Sequence, residues 1–195
     1  MDVHASPIQG SGLFATSPIA ADVVVVRLGG RVVTTAELHQ LFDEAADGIY
    51  IDTFAIGDDT HVVLPHDTVA HYGNHSCDPT IWPTSAFELA TRRRLDVGDE
   101  LTVDYGLISD DATFQMDCTC SAATCRQVIT GEDWRHHYLQ ARYAGHWPPG
   151  LQRRIDQSRQ DANNHSAATP TPGDTAGTTT PFKARTRRLR CERDR

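Results

Sequence analysis

The chain has 195 residues, 39% of them hydrophobic, enough for one domain of ordinary size with a real core and an appendage, but cramped for two domains. Its formal charge of −8 is unevenly spread: residues 163–195 hold one Lys and six Arg against three acids, which leaves −12 on residues 1–162. The acidic body argues against nucleic-acid binding by the core, no apolar run reaches the roughly 20 residues of a membrane span, and five cysteines, three of them crowded between 118 and 125, do not read as a secreted disulfide framework.

In chain order, Val23–Arg27, the Gly29-Gly30 turn and Arg31–Thr35 read as a hairpin. A helix follows, capped by Thr35, with Leu38, Leu41, Phe42 and Ala45 on one face and Gly48 as its stop. Tyr50–Ile56 and His61–Leu64 flank the turn Gly57–Thr60 and form a second expected hairpin. Ala86–Ala90 and Leu101–Tyr105 are two further strands, with Asp96–Asp99 as a turn between them. A helical region begins near Thr130, paired with Asp133 as a cap, carries Trp134, Tyr138 and Leu139 on one face, and stops at Trp147-Pro-Pro-Gly150. From about Asn163 the composition turns to Ala, Thr, Pro and Gly and ends in Arg-rich sequence, which predicts a disordered basic tail able to make weak contact with polyanions. Many short strands and few helices predict a β-rich α+β fold. An intracellular, cytoplasmic location with no membrane partner is expected.

Cys118-Thr-Cys120 and Cys125 form the densest chemical signal, because thiolates at this spacing can converge on one Zn²⁺ at about 2.3 Å each. Neighbours i and i+2 in an extended segment lie near 6.5–7 Å apart, at the limit for a disulfide. A closed zinc site wants a fourth ligand, and Cys77 is preferred to Cys191, which lies in the tail. Gly10-Ser-Gly12 lacks the preceding strand and following helix of a dinucleotide loop, so by itself it reads as a turn. His66, His71 and His75 share a face only in a helix, which Pro65, Gly73 and Pro79 oppose; they read as surface or core histidines. A hydrolytic metal site in this segment lacks an activating carboxylate at helical spacing.

Taken in order, these fragments resemble the SET-domain protein-lysine methyltransferases with a post-SET zinc motif. Gly10-Ser-Gly12-Leu-Phe-Ala resembles the family's opening Gly-x-Gly segment, Asn74-His-Ser-Cys77-Asp-Pro its Asn-His-Ser-Cys signature, and Glu100-Leu-Thr-Val-Asp-Tyr105 its Glu-Leu-x-x-Asp-Tyr; Cys118, Cys120 and Cys125 match the post-SET trio. The chain departs from the pattern at His71-Tyr-Gly73, where relatives often have Arg-Phe-Ile, and at Val103, where many place Phe or Tyr at a position associated with the number of methyl groups added.

The resemblance implies small curved sheets with a pseudoknot in which the segment around Asn74 threads beneath the one ending at Tyr105. It implies S-adenosylmethionine bound near Gly10, Gly12, Asn74 and His75, Tyr105 as the catalytic residue, and structural zinc on Cys77, Cys118, Cys120 and Cys125. The implied substrate is a lysine in a protein or peptide. The rival reading is a SET-like, zinc-stabilised binding module without methyl transfer; retained Tyr105, Asn74 and His75 favour the enzyme. The expected organisation is a SET domain over 1–112, a post-SET zinc segment over 113–128, a helical extension over 129–162 and the tail over 163–195. Lys183, the sequence's single lysine, lies in that tail, within reach of the pocket for self-methylation or self-inhibition, although such charge runs are most often only solvated.

Overall fold

In the computed structural model, residues 1–46 and 51–167 are described, with the side chains of 165–167 left aside. The elements are β1 (Asp2–Ala5), β2 (Ser11–Phe14), β3 (Val24–Arg27), β4 (Arg31–Thr34), α1 (Thr35–Glu44), β5 (Thr53–Gly57), β6 (Thr60–Val63), β7 (Ile81–Pro83), β8 (Glu88–Thr91), β9 (Gln115–Asp117), β10 (Val128–Thr130), α2 (His137–Arg142) and α3 (Pro149–Ala167). The strands form four small antiparallel sheets, ordered β1-β2, β4-β6-β5, β3-β8-β7 and β9-β10. This is the β-rich α+β architecture read from the sequence.

The β5–β6 hairpin forms as expected, Phe54 opposite Val62 and Ala55 opposite His61. The first expected hairpin does not. β3 pairs with β8 and β4 pairs with β6, so the chain leaves one sheet at Gly29-Gly30 and enters another. Alternation in a strand specifies a buried face but not the neighbour that covers it.

Thr34, one residue before the expected cap, closes α1: its hydroxyl accepts the Glu37 N–H at 3.2 Å and the Glu37 carboxylate takes the Thr34 N–H at 2.8 Å. The expected stop at Gly48 and the start of the next strand at Tyr50 lie outside the described residues. At the other end, Thr130 and Asp133 do pair, but the region breaks into a 3-10 turn over Asp133–Arg135 and the short α2. Trp134 and Leu139 face the core, whereas Tyr138 is exposed and Tyr143 takes the buried aromatic place.

Trp147-Pro-Pro-Gly150 opens a helix instead of ending one. Proline is suited to a first helical position because its missing N–H has no partner there in any case, and α3 runs from Pro149 to Ala167, past the boundary expected at Asn163. The tail beyond Ala167, with Lys183 and Cys191, lies outside the described residues. Leu151 and Ile155 of α3 join Phe54, Ile56, Leu107, Trp134, Tyr143 and Trp147 in one core.

The 101–105 segment is not a regular strand. Leu101 N–H donates to the Leu13 carbonyl, Thr102 N–H to the Thr80 hydroxyl and Val103 N–H to the Asn74 carbonyl, while Ser76 N–H donates back to Val103. Its backbone groups go to three different segments because it is threaded between them, with His75 bridged in parallel to Val103.

Gly150 packs so closely on the β5 turn that a Cβ there would collide with the Gly57 carbonyl. Gly150→Ala should therefore cost about 1–3 kcal/mol in urea unfolding. A stability equal to that of the unaltered chain would show that α3 can shift away from β5 without loss.

Candidate functional site

Asn74 sits where the threaded segment meets the opening loop. Its side-chain amide lies 3.2 Å from the Gln9 carbonyl, 3.2 Å from that of Ser11 and 2.8 Å from the Glu100 carboxylate. Glu100 also accepts from the Ser6 hydroxyl at 2.9 Å. Gly12 backs onto this carboxylate, which occupies the space a Cβ would need. The Gly-x-Gly loop is thus clamped from behind by Asn74 and Glu100.

A cleft opens on the other side of that loop, lined by Ile8 to Ser11, Asn74, His75, Tyr105 and Met116 to Thr119. Gly10, Asn74, His75 and Tyr105 are therefore brought together, whereas Gly12 lies behind the wall. Ile8 and Met116 offer apolar surface to this cleft and Asp117 a carboxylate.

Tyr105 lines a second opening as well. This is a cavity of about 430 Å³, walled by α1, β5, the 70–73 turn and residues 108–116, with Asp43, Asp52, Asp110 and Asp111 in its lining. The Tyr105 hydroxyl donates to the Gly73 carbonyl at 3.1 Å, and its ring tilts against His75 at 5.3 Å between centroids. With its proton committed to Gly73, the phenol oxygen can act toward a ligand as an acceptor.

His75 has a different task from the one its position in the cleft suggests. Its Nδ1 accepts the Tyr105 N–H at 3.0 Å, so the neutral ring carries its proton on Nε2, which faces Cys77 Sγ at 3.3 Å. Burial lowers its pKa to about 4, against the opposing pull of Asp104, which keeps the ring neutral at pH 7. Val103, bridged to His75, is buried and lines neither opening.

The ligand atoms of Cys77, Cys118 and Cys120 lie, together with that of His75, within 4.8 Å of one another; Cys125 is not in that group and meets it through Cys118. Cys118 Sγ lies 3.9 Å from Cys77 Sγ and 3.6 Å from Cys125 Sγ, and Cys120 Sγ accepts the Cys77 N–H at 3.4 Å. Sulfurs placed about 2.3 Å from a tetrahedral ion would stand about 3.8 Å apart, which the Cys77–Cys118 and Cys118–Cys125 separations match. His75 reaches the same cluster, but the proton on Nε2 makes it a donor to Cys77 and not a ligand. Backbone N–H groups of Arg126 and Gln127 point at the sulfurs of Cys77 and Cys125 at 3.3 and 3.4 Å. Burial pushes the Cys77 thiol up to about 11, whereas at Cys120 backbone N–H groups overcome burial and bring it down to about 7.

Residue 126 also ties the cluster to the core, a role no motif marks. Arg126 grips the fully buried Asp104 with two hydrogen bonds of 2.7 and 2.6 Å and reaches Asp133 at 3.0 Å, while the Tyr143 hydroxyl donates to Asp104 at 2.9 Å. Burial by itself would raise the Asp104 pKa; the hydrogen bonds and charge of Arg126 overcome it and hold the carboxyl below its usual range. An acidic residue one before Tyr105 and an arginine one after Cys125 were the available signal.

A model of the SET domain matches residues 10–106. Those residues are a SET domain. Over 140 residues the chain is 31% identical to human histone-lysine N-methyltransferase 2B, a match covering 65% of this chain and 5% of that protein. It is 28% identical over 138 residues to the trithorax histone-lysine N-methyltransferase of Drosophila virilis, covering 65% and 4%. The chain thus spans a small fraction of the curated relatives it matches. The crystal structure of the methyltransferase domain of human histone-lysine N-methyltransferase SETMAR superposes with a TM-score of 0.53 at 19% identity, over 64% of this chain and 55% of that one. That likeness shows the fold. The cysteine segment and α2–α3 lie beyond the matched SET domain, bound to it through Arg126 and Asp104.

Removing one partner of a buried ion pair strands the other, so Arg126→Ala should cost about 3–5 kcal/mol in chemical denaturation. A loss below 1 kcal/mol would mean that water or Tyr143 can satisfy Asp104 alone.

Proposed function

We propose that the chain transfers a methyl group from S-adenosylmethionine to the side-chain amine of a lysine in a protein substrate. The observation that carries this reading is the position of Tyr105, whose side chain lines both the cleft beside the Gly-x-Gly loop and the acidic cavity beyond it. A donor on one side and an acceptor on the other would meet at this residue. Gly10, Asn74 and His75 would border the donor, with Gly12 admitting the Glu100 clamp that shapes the loop. The family match and the relatives named histone-lysine methyltransferases support the same reaction class.

When bound, S-adenosylmethionine supplies a methyl group on a positively charged sulfur. The chain's part is to deliver and orient the nucleophile. The carboxylates of the cavity draw in a cationic side chain. The amine must then lose a proton, since free lysine has a pKa near 10.4; removal from water and a nearby positive charge both favour that loss. Tyr105, its hydroxyl oriented by Gly73, accepts a hydrogen bond from the amine and aligns it. Among the described residues no helix is long and apolar enough to cross a membrane. An intracellular, cytoplasmic setting, in which thiols stay reduced, is part of this proposal.

We assign the thiol cluster one structural Zn²⁺, held by Cys77, Cys118, Cys120 and Cys125. It would fasten the 118–125 loop, and with it Met116 and Asp117, over the cleft.

Labelled methyl transfer from S-adenosylmethionine to an array of lysine peptides tests the activity, with Tyr105→Phe expected to lose about 100-fold or more of turnover while calorimetry still registers cofactor binding. Undiminished turnover in that variant would place the catalytic residue elsewhere. Metal analysis of the reduced protein should return one zinc per chain, and Cys125→Ser should release it; a Cys125→Ser protein retaining zinc would remove Cys125 from the ligand set.

A further inference from the structure

Among the described residues, two line both the cleft and the acidic cavity: Tyr105 and Met116. The wall that the two openings share is therefore made by a phenol and a thioether. Tyr105 comes from the threaded segment, whereas Met116 comes from β9, beyond the matched SET domain.

The thioether is placed by the β9–β10 ribbon. Met116 stands opposite Ile129, whose side chain has no exposure to water, while its neighbours Gln115 and Asp117 are exposed. Directly opposed residues share a face of a sheet and neighbours along a strand alternate, so Met116 is turned inward with Ile129. The Cys118 N–H donates to the Gln127 carbonyl at 2.7 Å and the Gly131 N–H to the Phe114 carbonyl at 3.1 Å, which pins the ribbon on either side of Met116. Its backbone is thus fixed, and its unbranched side chain, with three rotatable bonds, can fill or vacate the space between the openings.

Val103, at the position associated in the family with the number of methyl groups added, is buried and lines neither opening. Resting on the methyltransferase reading above, we propose that Met116 sets how many methyl groups the acceptor lysine takes. It does so by bounding the space beside Tyr105 in which an already methylated amine must turn its lone pair toward the donor. In each round the Nζ lone pair forms a bond to the methyl carbon of a sulfonium donor as the carbon–sulfur bond breaks. The bonding pair leaves on sulfur as a neutral thioether, and the amine proton passes to solvent. The second round differs from the first in the methyl group that the nitrogen already carries, and an apolar pocket discriminates one such carbon by about 10–200-fold. The side chain that bounds this space therefore acts on the ratio of the second rate to the first.

The test uses the best lysine peptide of the array, made unmethylated and monomethylated, and measures the rate of methyl gain on each by mass spectrometry. Both rates come from one protein sample, so their ratio is independent of how much of a variant is folded. Met116→Ala should raise the ratio of second to first transfer about tenfold or more and Met116→Phe should lower it by a similar factor, whereas the volume-conserving Met116→Leu and the buried Val103→Ala should leave it unchanged. If Met116→Phe acts on neither peptide, the Met116→Ala ratio decides. A ratio unchanged in Met116→Ala, beside active transfer to the unmethylated peptide, would overturn the proposal and leave the methyltransferase reading intact. A ratio that moves as far in Val103→Ala would return the control to residue 103 and overturn it equally. If the unaltered chain methylates neither peptide, both readings fall.

Discussion

The Asp104 carboxylate has no exposure to water, and the rest of the site depends on how it is satisfied. A buried charge is tolerated only when paired and hydrogen-bonded, and its net contribution to stability is often small beside the specificity it confers. Gly106 N–H donates to it from within the SET domain, but its side-chain hydrogen-bond partners come from beyond: Arg126 follows the cysteine loop and Tyr143 follows α2. Arg126 is shared with Asp133, at the start of the C-terminal helical region. The three parts of the chain are therefore joined by one polar network.

From Asp104 the order passes directly to the chemistry. The next residue is Tyr105, whose N–H is held by His75; His75 in turn donates to Cys77, and Cys77 belongs to the thiol cluster. A shift of the thiol cluster at Cys77 would thus reach Tyr105 through two hydrogen bonds. That short path would let an ion held at the cluster, as proposed above, bear on the alignment of Tyr105. It also explains the mixed character of the 101–105 segment, which gives up regular pairing so that the 74–77 segment can thread beside it.

Much of this was legible in the sequence because it rested on local chemistry. Cysteine spacing pointed to the cluster, and Gly57–Thr60 marked a true hairpin turn. Partner choice was not legible: β3 and β4 look like two arms of one hairpin, yet each finds its neighbour more than 25 residues away. Pro149 is compatible with either end of a helix, and the apolar pattern of Leu151 and Ile155 had to decide it. Asn74 and His75 do line the cleft, but their side chains also hold the loop and reach the thiol cluster, a distinction set by three-dimensional partners. Glu100 and Arg126 were missed as individual residues because their partners are scattered along the chain.

The central claim is that Arg126 transmits order from the cysteine loop to Tyr105. Hydrogen exchange followed by mass spectrometry in Arg126→Lys, which keeps the charge but loses the two-pronged grip, tests it most directly. The account predicts faster exchange at residues 103–107, 115–130 and 133–143, with the β5–β6 hairpin still protected. Faster exchange confined to the 118–126 loop, with Tyr105 unchanged, would contradict it.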